Sequence, residues 1–307
     1  MFAPAPVLVC TFEYPHDQSD PEVALNVGGQ GPWVARAIDA LGADAVLVVP
    51  LGGDTGIVAR HLLADEPHEV RAVATTAAIA CYLEERRSGE RTCIRDAPPG
   101  RFGPRELDDL YSAALTAALD ADVCVITGSP WADHVDASLL TRLTADLATL
   151  GRTTVADLSG AQLDAALVGG VDWLKIADDE LGDHRDGDRD REDRAWGRAN
   201  DLAGAHERRR CVIVSRADQP ALVVTNDARF TVSAPGLSTV DARGSGDAMT
   251  AALATGLAAD LPMDALLRRA AAAGAANAVH KGSATPDADL VDRLAEAIEV
   301  VEVGRPV

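Results

Sequence analysis

An α/β fold, with helices on both faces of a mainly parallel sheet, is predicted by three features of this 307-residue sequence. Short β-rich runs alternate with alanine- and leucine-rich stretches of helical length. Hydrophobic residues make up 47% of the chain, which supports a substantial core. Two segments, 12–25 and 76–97, break the alternation and stand apart from it.

Taken in order, the strands expected in the core are Val7–Thr11, Ala45–Val49, Val70–Ala74, Val123–Thr127, Thr153–Asp157, Trp173–Ile176 and Cys211–Ser215. Between them the helical stretches are Pro32–Leu41, Thr55–Ala64, Arg105–Ala118 and Ala137–Leu150. Strand, helix, strand in this order is the pattern of parallel βαβ units. Aromatic residues are only 4% of the chain, so the alanine runs predict helices packed closely through small side chains. The segment from Phe12 to Leu25 is polar and has no helical period. The segment from Ala77 to Ala97 reads as two strands joined by a turn at Ser88–Gly89. An inserted hairpin of this kind is either a lid over a site at the sheet edge or a surface decoration. The run Asp183–Arg194 is almost wholly charged and reads as a solvated loop entering a helix. No internal repeat and no interdomain linker is visible, so residues 1–307 are expected to form one domain.

Charge narrows the choice of partners. The formal net charge is -20, which disfavours nucleic acid and anionic membrane surfaces. An anionic ligand must then be held by local donors. Five cysteines, with no C-x-x-C pair, read as small apolar residues in a reducing cytoplasm. The start of the chain lacks the pattern of a signal peptide, and no apolar run would span a bilayer. A cytoplasmic protein is expected.

Chemistry concentrates in Val240–Leu257, where Gly244-Ser245-Gly246-Asp247 opens a long helix of small residues. Glycines at a helix start allow a sharp turn that points several N–H groups at one spot. With the positive end of the helix dipole, the amides of Gly244, Ser245 and Gly246 could form an anion hole. Asp247 in the first turn would sit at its edge. Anion donors beside a carboxylate suit phosphoryl transfer, with Asp247 taking a proton from the attacking hydroxyl. An ordinary helix N-terminus with an aspartate set against the dipole would look the same in isolation.

The wider sequence carries a family resemblance. Asp241, Gly244, Ser245, Gly246, Asp247 and Met249 resemble the C-terminal signature of the ribokinase-like (pfkB) carbohydrate kinases, D-x-x-G-A/S-G-D-x-F/M. Gly28, Gly29, Gly31, Ala35, Leu41 and Gly42 resemble that family's first signature. Leu47–Gly56 is similar to its G-x-x-G-x-D-x-x-G segment, nearest the 1-phosphofructokinase and tagatose-6-phosphate kinase branch. Ala270–Asp287 is similar to its last helix and loop on the nucleotide side. The resemblance spans nearly the whole chain in the right order. It implies a doubly wound α/β domain with a small β-sheet lid, ATP and Mg²⁺, a frequent response to a monovalent cation, and a homodimer joined through the lid. Carried over by position, it places Ser215, Ala217, Pro220, Asn277 and Gly282 along ATP. It gives Glu180 an indirect role in organising Mg²⁺, and it puts Asp17, Gly28, Gly29, Gln30 and Trp33 around a sugar-like substrate.

The departures cluster in the pocket. Gln30 stands where the family has lysine, and Trp33 where it has asparagine. The lid hairpin has no arginine at its usual phosphate-gripping place, which leaves Arg91 or Arg95 on the second strand as candidates. Ala177 replaces the asparagine of N-x-x-E, and Ala217 and Pro220 replace two glycines. Arg243, beside the anion hole, could touch the transferred phosphate. Three readings stay open: a kinase for a sugar-like alcohol, a 1-phosphofructokinase-like enzyme with a rebuilt phosphate grip, and a nucleotide or metabolite binder without useful turnover. No P-loop and no G-x-G-x-x-G is present, and the histidines show no metal-ligand spacing.

Overall fold

The computed structural model describes residues 1–14, 20–87, 90–131, 134–181, 188–204, 211–280 and 285–306. The chain opens with β1 (Val7–Glu13), β2 (Glu22–Gly28), α1 (Gln30–Ala40), β3 (Val46–Gly52), α2 (Gly53–Leu63) and β4 (Glu69–Thr75). A hairpin of β5 (Ala80–Arg87) and β6 (Glu90–Ala97) follows. Next come α3 (Pro104–Ala118), β7 (Val123–Thr127), α4 (Ala137–Thr149), β8 (Thr153–Asp157), α5 (Gly160–Gly169) and β9 (Trp173–Ala177). The C-terminal part holds α6 (Asp188–Gly204), β10 (Cys211–Arg216), β11 (Gln219–Val224), β12 (Arg229–Ser233), α7 (Ser245–Ala258), α8 (Met263–Ala278), α9 (Ala288–Ala297) and β13 (Glu299–Gly304).

The larger sheet runs β13-β12-β11-β10-β9-β8-β7, and Phe2 extends it. Phe2 bridges Ile126 of β7 on one side and Val48 of β3 on the other, both in parallel sense, so β3 and β4 continue the layer. The strands from β7 to β10 are parallel, while β11, β12 and β13 close one edge with antiparallel pairs. Strand residues alternate between two cores. Leu47, Val49, Val125, Ile213 and Val223 pack on the side of α1, α2, α7, α8 and α9. Val48, Ile126, Ile176, Val212, Val214 and Leu222 pack on the side of α3 to α6. Burial on both faces explains why these strands read as unbroken apolar runs in the sequence. The small-residue helices meet as expected, with Ala251, Ala252, Ala272 and Ala273 fully buried where α7 runs beside α8.

The smaller sheet has the order β2-β1-β5-β6. It corrects one expectation, because Val7–Thr11 belongs here and not to the core sheet. Val7 and Val9 pack with Ala80, Tyr82 and Trp131, while Leu8 packs into the main core. Burial on both faces gave this strand the look of a central one. The polar segment after Phe12 is likewise partly strand, supplying the end of β1 and the start of β2. The β5–β6 hairpin forms as expected, and its turn at 88–89 lies outside the described residues.

Ala217 turns the β10–β11 hairpin with φ 42, a left-handed backbone at a residue with a Cβ. This conformation costs about 1–2 kcal/mol. Ala217→Gly relieves it and loses about 0.4–1 kcal/mol to unfolded-chain entropy. A net gain of about 0.5–1 kcal/mol is expected, read as a higher urea midpoint at unchanged slope.

Candidate active site

The loop before α7 is built by backbone and side-chain caps. Asp241 Oδ1 accepts the Arg243 N–H at 3.1 Å. Gly244 then takes φ 77, a turn that strains any other residue, and α7 begins. From behind, Asn277 of α8 donates to the Arg243 carbonyl at 2.7 Å and to Ser245 Oγ at 3.3 Å. The Ala278 carbonyl accepts the N–H groups of Val240 and Asp241. Asn277, expected beside the nucleotide, is thus buried and braces this turn.

One part of the expected anion hole is corrected. The Ser245 N–H donates to the Ala242 carbonyl at 3.2 Å, so the turn itself engages that amide. The amides of Gly246 and Asp247 occupy the next two positions of α7, in the turn where no helical carbonyl precedes them.

Asp247 is 7% exposed and lies in a buried charge cluster. Lys175 Nζ of β9 sits 3.2 and 3.4 Å from the two carboxylate oxygens of Asp157 at the end of β8. Thr250, one turn along α7 from Asp247, donates to Asp157 Oδ2 at 3.1 Å. Gly246 completes the fit, because a Cβ there would stand 2.6 Å from Lys175 Nζ. Burial pushes the Asp247 carboxyl up to about 7; the charges of Asp157 and Glu180 add to this, and Lys175 works against it. Burial alone would lower Lys175, yet Asp157 and Asp247 outweigh it and hold the ammonium above its ordinary range. A carboxyl that titrates near neutrality beside a fixed positive charge is suited to accept a proton from an alcohol.

A cavity of about 810 Å³ opens between the smaller sheet and the carboxyl ends of the core strands. Asp157, Glu180 and Arg243 reach it from the core side. Gly28, Gly29, Gln30 and Trp33 line it from the β2–α1 junction. Gln30 Oε1 accepts the Gly128 N–H at 3.3 Å, and Gln162 bonds both the N–H and the carbonyl of Ser129.

Arg95 is a correction. It is exposed and does not line the cavity, whereas Arg91 does. Strict alternation along β6 would place Arg91, Cys93 and Arg95 on one face. A bulge opposite Leu83 and Glu84 inserts one residue, so Asp96 follows Cys93 into the cavity and Arg95 turns away.

On the far side, Ser215 of β10 pairs in register with Ala177 of β9. Ala217 lies in the hairpin turn, and the Pro220 carbonyl accepts from the buried Arg216. Glu180 closes a short 3₁₀ turn, Asp178–Glu180, and its Oε2 accepts the Ala177 N–H at 3.0 Å. Asp178 pairs with Arg191, and Asp179 is exposed. Asp17 and Gly282 lie outside the described residues. The charged run 183–194 lies partly outside them, and its end forms the first turns of α6. No helix among the described residues is long and apolar enough to cross a membrane.

Sequence reasoning missed Asp157, Lys175, Thr250 and Glu84. Lys175 carried a readable signal: it is one of only two lysines in the chain and interrupts the apolar strand Trp173–Ala177. A charge inside a run buried on both faces needs a partner.

A three-layer α/β/α body with a four-stranded sheet over the ends of its core strands is the architecture of ribokinase-like small-molecule kinases. The pfkB family carbohydrate kinase model matches residues 8–289, and the chain belongs to that family. It is 31% identical over 290 residues to the ATP-dependent 6-phosphofructokinase isozyme 2 of Mycobacterium tuberculosis, covering 91% of this chain and 82% of that protein. It is 26% identical over 314 residues to a tagatose-6-phosphate kinase of Staphylococcus epidermidis, covering 94% and 96%. The Escherichia coli phosphofructokinase-2 structure in complex with potassium superposes with a TM-score of 0.82 at 26% identity, over 96% of this chain and 97% of that one.

Proposed function

We propose that the protein transfers the γ-phosphoryl group of ATP to a hydroxyl of a sugar or sugar-like molecule, with Asp247 as the base. The observation that carries this reading is the placement of the Asp247 carboxyl, buried in the first turn of α7 behind the Gly244 turn and beside the Lys175–Asp157 pair, where burial pushes it up to about 7. Asp247 takes the proton of the attacking hydroxyl as its oxygen bonds to phosphorus, and ADP leaves. The amides of Gly246 and Asp247, with that of Gly244, face the oxygens of the moving group. Arg243 adds a positive charge at the rim of the cavity. Ser215, which pairs with Ala177 at the start of the Ala177–Glu180 turn, would lie along ATP together with Ala217 and Pro220.

Glu180, exposed on the cavity wall, and the ATP phosphates offer oxygen donors that would suit Mg²⁺. That ion would neutralise phosphate charge. A monovalent cation belongs to the same reading, since the E. coli neighbour is described with potassium. The smaller sheet exposes Val23, Leu25 and Ile94, at 60%, 46% and 53% of their surfaces, and a homodimer through this sheet would cover them.

The test is ADP release with a panel of sugars, sugar phosphates and nucleosides. At least one acceptor should give turnover, with kcat/KM rising about tenfold per pH unit up to near 7 and levelling above. Tight ATP binding without ADP release for any acceptor would support the non-catalytic reading. A phosphorylated acceptor is the second reading; it is favoured by the names of the relatives and by Arg91 in the cavity.

A further inference from the structure

We infer that Glu84 selects an uncharged polyol as acceptor and rejects one that already carries a phosphate, an inference that rests on the kinase reading for its reaction. Glu84 lies in β5, lines the cavity and is only 5% exposed. Its Oε1 accepts from Thr11 Oγ1 at 3.0 Å and pairs with Arg91 Nε at 3.4 Å. Its Oε2 faces Arg243 Nη1 at 3.6 Å. One buried carboxylate therefore holds two guanidinium groups, one from β6 and one from the loop before α7.

The other arginines of the cavity wall are also engaged. Arg86 pairs with Glu13 at 3.0 Å, and Arg36 pairs with Glu66. Among the described residues every arginine lining the cavity has a carboxylate partner, and no lysine lines it. Asp96 and Glu180 add further negative charge to the wall.

A phosphate monoester carries about -1.5 to -2 charges at neutral pH. To be gripped by Arg91 or Arg243 it must share their N–H groups with Glu84, which sets a buried carboxylate beside a dianion. Like charges brought together in this way disfavour the wrong ligand. A neutral diol needs no exchange, because its hydroxyls donate to Glu84 and accept from Arg91 or Arg243 where they stand. The relatives named above act, by their names, on phosphorylated sugars, so this preference would set the chain apart from them.

The experiment is equilibrium titration of the wild type and Glu84→Gln with fructose and fructose 6-phosphate. Tryptophan fluorescence can report binding, since Trp33 lines the cavity. The wild type should bind fructose at least about tenfold more tightly than its phosphate. Glu84→Gln should shift that ratio toward the phosphate by about 10²-fold, as two charge-assisted contacts become available. Wild-type preference for the phosphate, or an unchanged ratio in the variant, overturns the inference. If Glu84→Gln does not fold, the wild-type preference alone decides. ADP release separates the two claims. Faster turnover of fructose 6-phosphate than of fructose defeats the role of Glu84 and leaves the kinase reading standing. A binding preference for fructose with no ADP release from any acceptor defeats the kinase reading and leaves the role of Glu84.

Discussion

Asp247→Asn should lower turnover by about 10²–10⁴-fold while ATP binding stays nearly unchanged. Asparagine keeps the shape of the side chain and the N–H groups of α7, but it cannot accept a proton from the acceptor hydroxyl. The same substitution should stabilise the fold, and the effect should depend on pH. The folded-state carboxyl titrates near 7 and its reference value is 3.8. Between these values the folded protein binds more protons than the unfolded chain, so wild-type stability falls as pH rises through this window. The burden is absent near pH 4 and complete above pH 7. Three pKa units correspond to about 4 kcal/mol. Calorimetric melting should therefore show the variant gaining on the wild type from pH 4 to pH 8. Unchanged turnover, or a stability gap independent of pH, would remove Asp247 from its assigned role.

The sequence disclosed most of what depends on local pattern. The core strands β3 and β7 to β10 fall where apolar runs placed them, because burial on both faces leaves an unbroken signature. The turn at Gly244 was visible because a left-handed residue at a helix start calls for glycine. What stayed hidden depends on partners distant in the chain. Asp157 and Lys175 meet only because β8 and β9 are neighbours in the sheet, and Thr250 reaches them from α7. The side on which Arg95 emerges is set by one bulge, which leaves no mark in the pattern of β6. Glu84 looks like an ordinary charge in a half-exposed hairpin until Thr11 and Arg243, 73 and 159 positions away, close around it.

The second large effect is expected at Lys175. Its side chain is almost wholly buried, and it is the cation facing both Asp157, itself 2% exposed, and Asp247. Lys175→Met keeps the length of the side chain and removes the charge. It strands Asp157 with the Thr250 hydroxyl as its remaining side-chain donor among the described contacts. Removing one partner of a buried pair costs about 3–5 kcal/mol, because the other charge is left without compensation. Urea unfolding should show a loss of that size. Lys175 also works against the rise of the Asp247 carboxyl, so any residual activity should move its lower pH limit upward. The double variant Lys175→Met, Asp157→Asn removes both charges and should recover most of the lost stability, since an uncharged pair needs no compensation. If Lys175→Met costs less than about 1 kcal/mol, the pair is solvated or replaceable. The positive charge behind Asp247 would then have no structural hold on the base, and the cluster would lose its place in the mechanism. If the single variant is severely destabilised and the double one recovers, the fold maintains Lys175 for the carboxylates around it. The burden that Asp247 places on stability is then kept in check by the same residue that leaves it able to titrate near neutrality.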